Sequence, residues 1–295
     1  MRSRPHFLLV ALGLAGCDEP LAYPQDIEDF RVLGAKVSVG NDPSRAWPLP
    51  GEHASIEWLV ADPEPDAAAG FAFEACPIEA SARGIPDCVG PSFAQAAALA
   101  PAGSMPRFEL DVPSTNAPRI LTRGLVCKGE VPNAGGCSAE HERVMFEIVP
   151  GSADRANQNP SLADSAFSLD GAPWPEPSSA ELGQKTCAAG DLPEVPADGA
   201  KHEIAFALDE SDREPLEDPE GLAPTRETLG VSNFSTRGHL SQPLGVIEAK
   251  SSDLGLSVGW RAPKSGAGER VRFYFVVRDG RGGVDWAIRT LCLRP

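Results

Sequence analysis

Val271-Arg272-Phe273-Tyr274-Phe275-Val276-Val277-Arg278, followed by Asp279-Gly280-Arg281-Gly282-Gly283-Val284, decides the fold. Val271, Phe273, Phe275 and Val277 alternate with Arg272, Tyr274 and Arg278. Side chains two apart share one face of a strand, so the first set makes an apolar face and the second a polar one. That is the pattern of a half-buried antiparallel strand. The glycines that follow supply the positive φ that a tight hairpin needs. Val284 to Leu293 then reads as the returning strand.

The same reading extends towards the N-terminus. Phe30 to Val39, Ser55 to Asp62, Phe71 to Cys76, Phe108 to Val112, Arg119 to Cys127 and Val144 to Val149 read as strands. His202 to Leu208 and Gly255 to Trp260 read likewise. Asn41-Asp42-Pro43, Pro48-Leu49-Pro50-Gly51 and Pro150-Gly151 punctuate them as turns. Ser92 to Ala100 (SFAQAAALA) is expected to be a short helix capped by Ser92. Short strands with almost no helix predict all-β sandwiches. Length predicts two domains, 29–150 and 165–295, joined by a polar linker at 151–164.

Composition agrees and excludes other classes. The 295 residues hold 29 Gly and 29 Pro, against long helices. With 26 basic and 42 acidic residues, the formal charge is −16, which disfavours a nucleic-acid partner. An apolar content of 42% is enough for packed cores.

The N-terminus reads as an address. Arg2 and Arg4 precede an apolar or small run from Phe7 to Gly16, far below the ~20 residues of a membrane span. Residues 1–16 are expected to be a cleaved signal peptide, and 17–28 an acidic, Pro-bearing tether. Leu14-Ala15-Gly16-Cys17 resembles the lipobox of bacterial lipoproteins at all four positions. The resemblance implies a diacylglyceryl group on the Cys17 thiol and cleavage before it. Each buried CH₂ contributes ~0.8 kcal/mol and one chain binds marginally, so stable attachment needs several chains. Losing Arg2 and Arg4 with the leader takes the formal charge from −16 to −18.

Cys76, Cys88, Cys127, Cys137, Cys187 and Cys292 remain, an even number in an exported chain. They predict three disulfides, in any of 15 connectivities. The local hypothesis joins Cys76 to Cys88 and Cys127 to Cys137, leaving Cys187 for Cys292. No CxxC spacing exists, and His53, His141, His202 and His239 show no HxxxH pattern, so no zinc site or other cofactor is expected.

Two further resemblances bear on the fold. Phe275 to Val284 contains V-x-D-x-x-G-G, as in the last hairpin of bacterial immunoglobulin-like repeats of the polycystic-kidney-disease and cadherin-like kinds. This implies two immunoglobulin-like antiparallel β-sandwich domains in tandem. The arrangement as a whole resembles bacterial lipoproteins that pair a lipobox with Cys-bearing domains of this kind. Ala35 to Asp62, Asn157-Gln158-Asn159-Pro160-Ser161 and the closing strand through Cys292 carry that likeness, and it implies no activity.

Candidate chemistry is sparse. Gly255-Leu256-Ser257-Val258-Gly259 matches G-x-S-x-G, but Leu256, Val258 and Trp260 alternate as a strand and Pro263 follows. A nucleophile elbow needs a helix there. No HExxH, P-loop or dinucleotide-binding pattern is present, so an enzyme is not expected. Asp212-Arg213-Glu214, with Asp209, resembles the Asp-Arg-Glu of cadherin calcium sites and is a calcium alternative. Trp58, Trp260 and Trp286 lie in strand patterns, as core residues do. Trp47 and Trp174 sit beside prolines and are the candidates for an exposed glycan contact. The expectation is a lipid-anchored, non-enzymatic envelope protein that meets the membrane through its lipid and uses its domains for interaction or scaffolding. A carbohydrate- or wall-binding lipoprotein is the alternative.

Overall fold

The computed structural model describes residues 23–40, 42–64, 67–79, 85–114, 119–152, 156–162, 166–187, 192–216 and 225–295. The lipobox, Cys17 and the acidic residues Glu217, Asp218 and Glu220 lie outside them.

The first half holds seven strands: β1 (Arg31–Val39), β2 (His53–Ala61), β3 (Ala69–Ile78), β4 (Ala94–Ala100), β5 (Arg107–Asp111), β6 (Arg119–Lys128) and β7 (His141–Ile148). They form two antiparallel sheets, in orders β1-β2-β5 and β4-β3-β6-β7. This is an immunoglobulin-like crossing of the chain between sheets. Val37, Ile56, Trp58, Phe73, Phe108, Ile120 and Val126 fill the space between them. Trp58 stacks on Phe73 with ring centroids 5.1 Å apart.

The second half contains β8 (Phe167–Leu169), β9 (Ala172–Pro173), the helical turn α1 (Ser179–Leu182), β10 (Glu194–Pro196) and β11 (Lys201–Ala207). A two-stranded ribbon, β12 (Pro215–Leu216) with β13 (Thr225–Arg226), follows. Then come β14 (Leu229–Ser235), β15 (His239–Leu240), β16 (Leu244–Ile247), β17 (Gly255–Arg261), β18 (Arg270–Arg278) and β19 (Val284–Arg294). One sheet runs β15-β17-β11-β8-β9 and the other β10-β19-β18-β14-β16. Short β10 lies parallel to β19; the other pairings of that sheet are antiparallel. Trp174 and Trp260 each meet Phe273 edge-on at 5.1 Å in the core. Their indole N–H groups donate to the carbonyls of Thr290 and Arg237, both at 2.9 Å.

Three expectations need correction. Residues 94–100 form strand β4, pairing with β3 from Ala75–Ala94 to Ala69–Ala100, and no helix forms there. Alanine favours helix by only a few tenths of a kcal/mol per residue, and sheet pairing overrides that. Trp174 is buried and so offers no exposed contact. The polar face of β18 is largely covered: Arg272, Tyr274 and Val276 are buried and Arg278 is half-buried, because the first sandwich and the α1 segment lie over it.

The cover is specific. Ile27, Leu33, Leu59 and Ala61 pack against Tyr274, Val276, Val284 and Ile288. In β1 the register shifts between Val32 and Gly34, leaving Leu33 as a bulged residue without a partner in β2. Its side chain enters this contact, and its carbonyl accepts from Arg278 Nη2 at 2.5 Å. Burial raises the Tyr274 hydroxyl pKa to about 12. The four sheets therefore stack in series, with β1-β2-β5 facing the β18 sheet and the other two sheets outermost.

Candidate functional site

Two features organise the molecule beyond its cores: the junction between the sandwiches and the outer face of the first one. At the junction, the β18–β19 turn is built around Asp279. Its Oδ1 accepts from the backbone N–H groups of Arg281, Gly282 and Gly283 at 2.6, 3.0 and 2.9 Å. Its Oδ2 accepts from Asn157 Nδ2 at 2.7 Å. A Cβ on Gly283 would collide with that carboxylate and with the Gln158 carbonyl, so the position requires glycine. Asn159 ties both halves: its Nδ2 donates to the Val37 carbonyl at 2.7 Å, and its Oδ1 accepts from Val284 N–H at 3.0 Å. Lys36 and Asp285 form an ion pair across the junction at 2.8 Å.

Arg281 projects from the same turn. It pairs with Glu227 at 2.6 Å and Glu214 at 3.0 Å, and lies 4.9 Å from the Trp47 ring centroid. Trp47 is half-buried and donates its indole N–H to the Arg281 carbonyl at 3.0 Å. Burial raises the pKa of Glu227 and of Glu214, with Arg281 opposing that rise in both.

The calcium candidates sit beside this network with separate partners. Glu214 answers Arg281. Buried Asp212 accepts from the Ser161 and Asp209 N–H groups, both at 2.7 Å. Asp209 accepts from Ser211 N–H at 3.1 Å. The three carboxylates thus serve the turn and the arginine and do not converge. Among the described residues, no three His, Cys, Asp or Glu side chains could hold a metal ion together. Ser257, in the G-x-S-x-G match, lies in β17 and donates to exposed Glu203 at 2.6 Å.

The six described cysteines pair as the local hypothesis has them: Cys76–Cys88, Cys127–Cys137 and Cys187–Cys292, with Cα separations of 5.6, 5.8 and 5.7 Å. The first two bridges start from strands of the β4-β3-β6-β7 sheet. On that sheet lies an open groove of about 850 Å³, whose lining includes Ala72, Ala97, Leu125 and Met145. At one end Arg123 pairs with Glu74 at 2.7 Å and Asp87 at 2.8 Å, and Ser92 donates to Glu74 at 2.5 Å. Hydrogen bonds from Ser92 and Arg123 hold the Glu74 carboxyl below its usual range. At Gly70 a Cβ would strike the Glu130 carbonyl, so the loop carrying Cys137 lies directly on the strand. Nothing in the sequence signals the groove, since most of its lining is uncharged and belongs to no chemical motif.

The fold and its bridges define an all-β, disulfide-bonded protein of two sandwiches, suited to an oxidising, extracytoplasmic compartment. Among the described residues no helix is long and apolar enough to cross a membrane. No protein-family model and no curated protein matches the chain. Among solved structures, the chain is similar to red sea bream transglutaminase at 10% identity and a TM-score of 0.25, over 90% of this chain and 32% of that one. It is also similar to native E. coli alpha-2-macroglobulin at 7% identity and a TM-score of 0.23, over 91% of this chain and 16% of that one. The chain spans about a third and a sixth of those two proteins.

Proposed function

We propose that this is a lipid-anchored protein of the bacterial cell envelope whose two immunoglobulin-like sandwiches act as one rigid, non-enzymatic interaction or scaffold module. The observation that carries the reading is the locked junction. Asn159, Lys36–Asp285 and the Asp279 turn join the halves through groups that are mostly buried. Rigidity of that kind suits a spacer or a presenting surface. Leu14-Ala15-Gly16-Cys17 supports the anchor, and three disulfides support an address outside the cytoplasm. A glycan-binding module needs open aromatic platforms. Trp174 in the core and Trp47 under Arg281 do not offer them, so the interaction reading is preferred.

Metabolic labelling with an alkyne fatty acid tests the anchor. The expected result is a labelled protein in the membrane fraction, with label and membrane association both lost in Cys17→Ser. An unlabelled wild-type protein would overturn it. Crosslinking in intact cells tests the module, and recovery of a recurrent envelope partner is the expected outcome.

A further inference from the structure

Resting on the anchor just proposed, we infer that the second sandwich is the one held against the membrane, with the corner formed by Tyr23, His239 and Arg261 facing the lipid headgroups. The chain does not pass from the tether straight into the first sandwich. Residues 25–27 are first bound to the second: Ser235 N–H donates to the Gln25 carbonyl at 3.0 Å, and Ile27 N–H donates to the Ser235 carbonyl at 2.8 Å. Gln25 and Ile27 are buried there, and Gln25 Nε2 reaches the Leu240 carbonyl at 3.4 Å. Tyr23 packs on His239 with ring centroids 4.6 Å apart. His239 pairs across β15–β17 with exposed Arg261.

Six residue steps separate Cys17 from Tyr23, which span at most about 20 Å fully extended. The lipid therefore lies within that reach of a corner of the outermost sheet of the second sandwich. Stacked sheets lie roughly 10 Å apart. Three such spacings separate this sheet from the β4-β3-β6-β7 sheet, more than the tether reaches. The chemistry of the corner suits a headgroup layer. Tyr23 is more than half exposed, and His239 and Arg261 offer nitrogen donors, with Asp26 largely covered beside them. On a chain whose formal charge is −18 once the leader is removed, such a corner meets less repulsion from a lipid surface than the acidic faces do. The outer face of the first sandwich, with its groove, then points away from the bilayer.

The test uses full-length lipidated protein in phosphatidylcholine vesicles containing a headgroup-nitroxide lipid. Arg261→Cys and Met145→Cys variants each carry one fluorophore, with the three native bridges checked by non-reducing peptide mapping. Both positions are exposed, so labelling leaves the cores intact. Several-fold stronger quenching at 261 than at 145 is expected, and a Gly-Ser insertion after Pro20 should shrink that difference. Equal quenching, or stronger quenching at 145, in protein that floats with the vesicles would overturn the orientation and leave the anchor standing. Protein that carries no lipid and does not float would refute the anchor itself, and the orientation with it.

Discussion

Asp279 is the side chain around which the β18–β19 turn at the junction is built. Three backbone N–H groups and one amide converge on its two oxygens, and it is almost fully buried. Removing the carboxylate leaves buried donors unanswered, at a cost of about 3 kcal/mol. Asp279→Ala should therefore lower Tm by several degrees, and Asp279→Asn, which keeps one acceptor oxygen, by less. Calorimetry reads the difference, and equal losses would argue against this account. His53 offers a contrasting, exposed case. Its Nδ1 lies 2.8 Å from Asp111 and its Nε2 3.0 Å from Glu109. Both contacts are satisfied together only when both nitrogens carry protons. The hydrogen bond with Asp111 leads in raising its pKa above 6.5. The folded-state value is raised, so the stabilisation is fully present below about pH 6.5 and is lost as pH rises through the raised value. The effect on stability is small because the ring is half in solvent. An NMR titration should place the His53 midpoint above 6.5, moving down in Asp111→Asn. A wild-type midpoint at or below 6.5 would contradict the geometry.

Among the elements, those readable in advance bury one face of alternating apolar residues. β1, β5 and β11 do so, and lie within a residue or two of where the sequence puts them. β14 escaped detection because Asn233 and Ser235 occupy inward positions with Leu229 and Val231, which blurs the alternation. In β4 five of the seven residues are alanine, so a period of two leaves no trace. β18 was legible as a strand, but Tyr274 and Val276 on its polar face were the only hint that a second body covers it. The disulfide pairing was legible as a hypothesis because two cysteine pairs are close in sequence. The junction was not, because its partners lie more than a hundred residues apart. The bridges differ in what they constrain. Cys187–Cys292 spans 105 residues and Cys76–Cys88 only 12. Loop-closure entropy gives about 4.8 kcal/mol for the first and about 2.8 kcal/mol for the second. The double alanine variant of the long bridge should thus lose the more stability in urea unfolding. The opposite ranking would mean that the reduced chain retains structure across the long loop.

For the whole molecule the question is whether the two sandwiches are one thermodynamic unit. Domains joined by a small polar contact unfold separately and move relative to each other. Here the contact is apolar at its centre, with Leu33, Leu59, Tyr274 and Val276. Around that centre lie buried Asn157 and Asn159 and the ion pair Lys36–Asp285. Opening it would strand polar groups of both halves without partners, so separation and unfolding should be coupled. A single cooperative transition in calorimetry is the expected behaviour of the intact protein. Val276 points into the junction and away from the core of its own sandwich, so Val276→Asp attacks the coupling selectively. An aspartate there buries a charge against Leu33 and Leu59, which the junction avoids by opening. The variant should show two transitions where the parent shows one, and a larger radius of gyration in solution scattering. Two well-separated transitions in the unmutated protein would show that the halves are independent, and the rigid module proposed for them would lose its basis.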